Sequence, residues 1–351
     1  MTHQTQELVT HFADLVLSTH GSHAEFKQIS AYESASKSSL VFIQEPQQLL
    51  ASTVVPAAII TTERTAQELS NEYTGFIICV TNVKLAQALI KQHFDDYQAR
   101  DDEWPRIHPS ANIHKSSEIG ANSRIGPNVT IGANCHIANH VIIRANSVIE
   151  HDVTIGDHSI INAQTNIGYG SLIGKNTTIQ SGVIIGNEGY GFATDPQGQH
   201  HRIPHTGNVI IKDDVHIGSN SCIDRGTYGA TIIERGVKID NLCHIAHNVQ
   251  IGEDSLITAQ CVIAGSSVIG KRVMMSGQTG VLDHKTVPDD TVLVHRAGVS
   301  ESLPKGGMWA GSPAKPFKEF VRNLAINKKV RRLELEVKQL KQLLAKTDAN
   351  N

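Results

Sequence analysis

Histidine is the side chain best suited to move a proton near neutral pH, and this 351-residue chain carries nineteen of them. Nine (His136, His140, His151, His158, His216, His244, His247, His284 and His295) fall where isoleucine returns at every sixth position. His247, in "IDNLCHIAHNVQIG", stands at the third place of its hexad, as Asn241 does one hexad earlier. Elsewhere that place holds Pro, Lys, Ala, Asn and Asp, so it is no interior column. A histidine there projects outward, where it can meet a groove between subunits. His284 follows after two eighteen-residue coils plus one residue, on the same side and roughly 10 Å further along the axis. That span suits a substrate, although a surface this rich in histidine also carries purely solvated ones.

Other chemistries find less support. Cys135, Cys243 and Cys261 occupy the small fifth place of their hexads, which makes them core filler rather than nucleophiles or metal ligands. The spacings contain no HExxH and no nucleophile elbow. Five cysteines without a CxxC pair point to a reducing compartment.

The element that must position these groups is the repeat. Isoleucine occupies every sixth position from Ile107 to Ile185, resumes at Ile211, Ile217 and Ile223, and returns at Ile233. The register then runs through Ile269 and continues as Met275, Val281, Val287, Leu293 and Val299. A helix cannot keep period six on one face, and a strand alternates at two. Period six fits a three-sided coil whose isoleucines stack inside, with small residues where the chain turns and Gly120, Gly126, Gly132, Gly156, Gly168 and Gly174 easing turn sterics. This is the pattern of a hexapeptide parallel β-helix, nearly ten coils and roughly 45 Å tall. It is interrupted by "GNEGYGFATDPQGQHHRIPHTGN" and by a four-residue insertion around "DRGTYGA". Loops expelled from a solenoid are where function usually sits.

Three segments follow: 1–104, a small α/β domain; 105–313, the solenoid with its excursion 186–208; and 314–351, a helical tail. "SLVFI", "AAIIT" and "GFIICV" read as buried strands, and "QELVTHFADLVL" and "NVKLAQALIKQHF" as helices, with "DDEWPRIHP" as linker. In the tail Ile326, Val330, Leu333, Val337, Leu340 and Leu344 form a heptad seam that calls for a partner helix. Lys315, Lys318, Arg322, Lys328, Lys329, Arg331 and Arg332 suit an acidic partner. The net charge of −3 and 40% hydrophobic content give no nucleic-acid signature. No apolar run is long enough to cross a bilayer and no secretory leader is visible, so the expectation is a soluble cytoplasmic protein.

"GNEGYGFATDPQGQHHRIPHTGNVII", "IDRGTYGATIIERGVKIDNLCHIAHNVQIG" and "AGSPAKP" resemble the UDP-3-O-(3-hydroxyacyl)glucosamine N-acyltransferases of lipid A biosynthesis. The resemblance implies a mainly β fold, a left-handed parallel β-helix with a small N-terminal uridine-binding-type α/β domain and a C-terminal helical extension. It implies a homotrimer with active sites between solenoids. The acyl carrier protein would supply a 3-hydroxyacyl-phosphopantetheine, a UDP-sugar lipid would accept it, and no cofactor or metal would be needed. By the same resemblance His247 is the catalytic base. His284, Asn241 and the segment Gly189, Tyr190, Gly191 and Phe192 are substrate-binding. Family members hold the uracil with F-x-x-N-P-x-Y; here Phe42 is kept, while Glu45 and Gln48 replace the Asn and Tyr.

Amide formation from a thioester requires proton removal from the amine and donors for the oxyanion. His247 would supply the first, and backbone N–H groups with His284 the second. Two rival readings use the same scaffold. An O-acyltransferase acting on UDP-N-acetylglucosamine lacks an N-terminal domain of this kind, and a zinc hexapeptide protein of the carbonic anhydrase type joins three histidines across a trimer interface.

Overall fold

A computed structural model describes residues 2–50, 54–69, 73–94 and 104–348. The chain forms two compact units, Met1–Asp101 and Asp102–Asn351. Asp101, Asp102 and Glu103 of the expected linker lie outside the described residues.

In the first unit a five-stranded sheet runs in the order Val16–His20, Phe76–Val80, Ala58–Thr61, Ser39–Phe42, Gln28–Ile29. Only the Val16–His20 strand is antiparallel to its neighbour. The three expected strands are all present, and their buried faces form the core with the helices Glu63–Leu69 and Val83–His93. Asn82 begins the second of these helices by accepting the Leu85 N–H at 3.1 Å, as an N-cap should. One expectation fails: the helix of "QELVTHFADLVL" stops at His11, and Val16–His20 is an edge strand. The β-branched Val16 and Thr19 and the pairing surface of Phe76–Val80 outweigh a helical spacing that a single edge strand can mimic.

The second unit is a left-handed parallel β-helix. Its two-residue strands stack in three parallel sheets whose partners are eighteen residues apart, as in Thr130 with Asn112 and Val148. We call the face holding Arg124–Ile125 the first, that of Thr130–Ile131 the second and that of His136–Ile137 the third. The isoleucines are the interior columns, nearly all fully buried from Ile125 onward. Each contributes about 1.5–3 kcal/mol of burial. Leu303 and Trp309 close the C-terminal end of this core.

The fifth place is small for two reasons. It lies inside the corner, and its hydroxyls tie successive coils together: Ser123 Oγ donates to the Ala138 carbonyl at 2.7 Å and accepts the Val141 N–H at 3.0 Å. Ser159 repeats the device two coils later.

The turns correct the expected role of glycine. The left-handed conformation falls at the fourth place, and there the residues are mostly Asn, Asp, His, Gln or Arg, with φ near +60°. Gly120, Gly132, Gly156 and Gly174 stand at the second place for a different reason. A Cβ on Gly120 would lie 2.5 Å from the Ala138 backbone of the next coil. Close approach, not backbone conformation, selects glycine there. Substituting a β-branched residue at the left-handed place, as in Asn128→Val (φ 56° in the native turn), should cost about 1–2 kcal/mol. Denaturant unfolding would read the loss, and an unchanged midpoint would contradict it.

The chain leaves the solenoid through Gly307–Ala310, which pairs with Thr291–Leu293, and enters the helix Phe317–Asp348. Its seam residues Ile326, Val330, Leu333, Val337 and Leu340 are each about half exposed, so they are not folded onto their own solenoid. The side chains of Leu344, Lys328 and Arg331 lie outside the described residues. Among the described residues no helix is long and apolar enough to cross a membrane.

Candidate active site

Both insertions into the solenoid fall on one corner. The long excursion leaves the second face after Ile184–Asn187 and rejoins the third at Asn208–Ile211. The "DRGTYGA" insertion joins Cys222–Asp224 on the second face to Ala230–Ile233 on the third. His247 turns the same corner one coil later, between His244–Ile245 and Gln250–Ile251. A third-place side chain points away from the prism, so His247 emerges directly beneath both expelled loops.

The ring is held on three sides. Nδ1 lies 3.2 Å from Asn248 Oδ1, and that oxygen also accepts the Thr227 N–H at 3.0 Å. An atom already accepting a backbone N–H is the amide oxygen, so Nδ1 must donate to it. With Nδ1 donating to Asn248, and the Thr227 hydroxyl 3.5 Å from the same nitrogen, the neutral ring keeps its lone pair on Nε2. A Cβ on Gly265 would stand 2.6 Å from both Nε2 and Cε1, so the Nε2 edge lies against a residue that has no side chain. At the Cδ2 edge Gly189 approaches so closely that its Cβ would be 3.0 Å from the His247 Cβ and Cδ2.

Two further groups complete the neighbourhood, neither of them singled out by the sequence. His205 packs edge-on to His247, with ring centroids 5.0 Å apart, and is almost fully buried. Asp224 is buried as well, and its carboxylate lies 3.6 Å from His244 Nε2. Burial raises the Asp224 pKa, against an opposing pull from His244, His247 and His205. Both Asp224 and His205 belong to segments that break the hexad register, so periodicity could not place them. Noticing that Ile185, Ile223 and Ile245 are successive members of one column would have put both segments on the His247 corner.

Arg225 anchors the corner from within. It is fully buried, donates to the carbonyls of Gly186 (2.6 Å), Gly207 and Tyr169 (3.2 Å each), and lies 3.5 Å over the Tyr169 ring. These carbonyls belong to the excursion's two ends and to the preceding coil, so one side chain closes the interruption. Arg225→Met should cost about 1–3 kcal/mol by leaving buried acceptors unpaired. Limited proteolysis should then cut the excursion before the solenoid, and uniform protection would refute this.

The other expected residues lie as follows. His284 is exposed on the same corner two coils on, at the left-handed place beside the His247 column, and its N–H donates to the Gly265 carbonyl at 3.0 Å. Tyr190 and Phe192 project from the excursion with ring centroids 5.0 Å apart, and Phe192 starts a hairpin with His200–Arg202. Asn241 is on a different corner, between the first and second faces, where its Oδ1 accepts the Ser219 N–H at 2.7 Å. The structure does not bring it to His247 within one chain. In the first unit Phe42 ends a central strand and packs half-buried on the core. Gln48 Oε1 closes its own loop by accepting the N–H groups of Gln44 (2.8 Å) and Glu45 (3.1 Å). The three corner cysteines are buried as expected, and burial pushes the Cys243 thiol up to about 11, which makes it a poor nucleophile.

Comparison with known proteins agrees with this geometry. The family described as bacterial transferase hexapeptide (six repeats) matches residues 230–265, and the GMPPB C-terminal domain matches 107–190. An Arabidopsis UDP-N-acetylglucosamine acyltransferase structure covers 62% of this chain and 76% of its own at TM-score 0.54 and 23% identity, which shows the shared fold. A UDP-3-O-acylglucosamine N-acyltransferase 1 of Sulfurimonas denitrificans is 44% identical over 36% of this chain and 40% of its own. The UDP-3-O-acylglucosamine N-acyltransferase of Methylococcus capsulatus is 46% identical over 328 residues, 93% of this chain and 92% of that relative. With likeness running through the first unit as well as the solenoid, the chain belongs to the UDP-3-O-acylglucosamine N-acyltransferase family.

Proposed function

We propose that the protein moves a 3-hydroxyacyl group from the phosphopantetheine thiol of an acyl carrier protein to the 2-amine of UDP-3-O-(3-hydroxyacyl)-glucosamine, a step of lipid A synthesis. The observation that carries this reading is the orientation of His247. Asn248 Oδ1 accepts a hydrogen bond from Nδ1–H, and Nε2 is left as a base at the corner to which the solenoid delivers its two loops.

In the reaction the amine lone pair attacks the thioester carbonyl while Nε2 of His247 takes one N–H proton. The C–S pair then leaves on the carrier thiol, which receives that proton. The oxyanion needs a donor close to the base. Gly265 fits this role: its carbonyl is used by His284, while among the described residues its N–H donates to no backbone carbonyl. His284 would meet the substrate further along the corner, and Tyr190 and Phe192 would line the apolar groove. Asn241 would act only from a neighbouring solenoid. Phe42 would contribute to holding the uracil. The unpaired helix seam suits a homotrimer, and its basic flank suits an acidic carrier. In this reading the enzyme is cytoplasmic.

Asp224 would stabilise the imidazolium that forms on His247. Its raised pKa means that folding favours the protonated carboxyl. That contribution to stability is present at low pH and lost as pH rises through the raised value. Where the carboxylate is ionised its burial is a net cost, so Asp224→Asn should be at least as stable as the parent. Its activity should fall across the pH profile. A stable variant with an unchanged profile would remove Asp224 from the mechanism. The reading as a whole is tested by incubating the purified protein with 3-hydroxyacyl carrier protein and the mono-acylated UDP-glucosamine. Mass spectrometry should find the amide, and its absence would overturn the assignment.

A further inference from the structure

We infer that His205 holds the incoming amine beside His247, by accepting a hydrogen bond from the N–H that the base does not remove. The inference rests on the amine-acylation reading above. His205 is 2% exposed, and its Nδ1 lies 2.9 Å from the Ile203 carbonyl, which can only accept. Nδ1 therefore carries the proton, and Nε2 presents a lone pair. That lone pair is buried and, among the described residues, has no partner. Buried acceptors are rarely left unmade, and one beside a catalytic base marks a place for a ligand donor.

The cover over it is thin. A Cβ on Gly189 would lie 3.1 Å from His205 Nε2 and 3.0 Å from His247 Cδ2, so only glycine backbone separates the two rings at that point. Gly191 closes the other edge, where a Cβ would stand 2.6 Å from His205 Cε1. The strap continues into Tyr190, which is 85% exposed, and into a hairpin whose strands are exposed throughout. Arg225 ties down the two ends of the excursion at Gly186 and Gly207, while the strap between them is held by the Ile203 N–H, which donates to the Gly191 carbonyl at 2.8 Å. Displacing Gly189 opens both imidazoles to one ligand atom.

The chemistry of an amine fits that pair of rings. A neutral primary amine has two N–H groups and one lone pair. One proton goes to His247 as the C–N bond forms, and the other stays on the product amide. Two acceptors engaged by the two hydrogens of one nitrogen stand ~4.7 Å apart, given ordinary hydrogen-bond lengths and a near-tetrahedral angle. The His205 and His247 rings pack edge-on with centroids 5.0 Å apart, which brings two acceptors into one neighbourhood. Holding both hydrogens aims the lone pair at the thioester carbon. A hydroxyl has one hydrogen, which the base takes, so His205 would gain nothing from it.

The test uses the full chain with His205→Phe, which keeps a ring but loses the acceptor, and His205→Gln, whose amide oxygen can accept. Two measurements are made: kcat/KM for the amine acceptor, and calorimetric binding of that acceptor and of its 2-hydroxyl counterpart. His205→Phe should lose about 10–10²-fold in kcat/KM and the preference for amine over hydroxyl, with hydroxyl binding unchanged. His205→Gln should recover most of the loss. Equal weakening of both ligands, or no loss, would overturn the inference. If His205→Phe does not fold, His205→Leu replaces it against the same Gln comparison. Wild-type protein that acylates no amine would instead sink the proposed function.

Discussion

Replacing His247 with alanine should lower acyl transfer at least ~10²-fold, the low end for loss of a general base, without unfolding the protein. The side chain leaves the prism at a turn and contributes nothing to the isoleucine columns on either side, Ile245 and Ile251. Its backbone carbonyl still accepts the Ser266 N–H, and Asn248 keeps its bonds to Thr227 and Thr231. The loss should fall on kcat more than KM, because the base acts on a proton that moves only in the transition state. Unfolding midpoint and oligomer size should match the parent. A variant that retained near-parental turnover would exclude His247 and direct attention to His284 on the same corner.

The second large effect comes from a methyl group. Gly265→Ala places a carbon 2.6 Å from Nε2 and Cε1 of His247. The ring cannot simply retreat, because Gly189 backs it and Asn248 holds Nδ1. It must rotate out of its hydrogen bond or push the excursion strap away. Displacing a catalytic group by about 1 Å can cost ~10²-fold, and a loss of that order is expected in kcat. The solenoid itself has no objection to a side chain here. The same place holds His247 one coil before and Asp283 one coil after, and Gly265 is not among the left-handed residues. Stability should therefore stay within about 1 kcal/mol, as for a surface change away from caps and core. Full activity in Gly265→Ala would mean that the ring position seen here is not the working one.

These two substitutions separate chemistry from scaffold, and the same separation runs through the sequence. The hexad register is local and repetitive: each isoleucine faces inward because of its place within six residues, whatever lies in neighbouring coils. The solenoid, its three faces and the outward aim of His247 therefore follow from spacing alone. So does the fifth place, where only a small side chain fits inside a corner. The buried strands of the first unit were legible for a similar reason, since Val41, Ile59 and Ile78 are buried whatever their order in the sheet.

What the tertiary structure decided is everything that depends on residues far apart in register. Val16–His20 becomes a strand because Phe76–Val80 offers it an edge, not because of its own pattern. His205 lies in a segment without periodicity, and only the path of the excursion lays it against His247. Asp224 and Arg225 look like ordinary charged residues in a loop, and their burial comes from carbonyls and histidines contributed by other coils. A repeat specifies each coil's interior by short-range sterics. A site built where several coils interrupt that repeat is specified only once they are stacked.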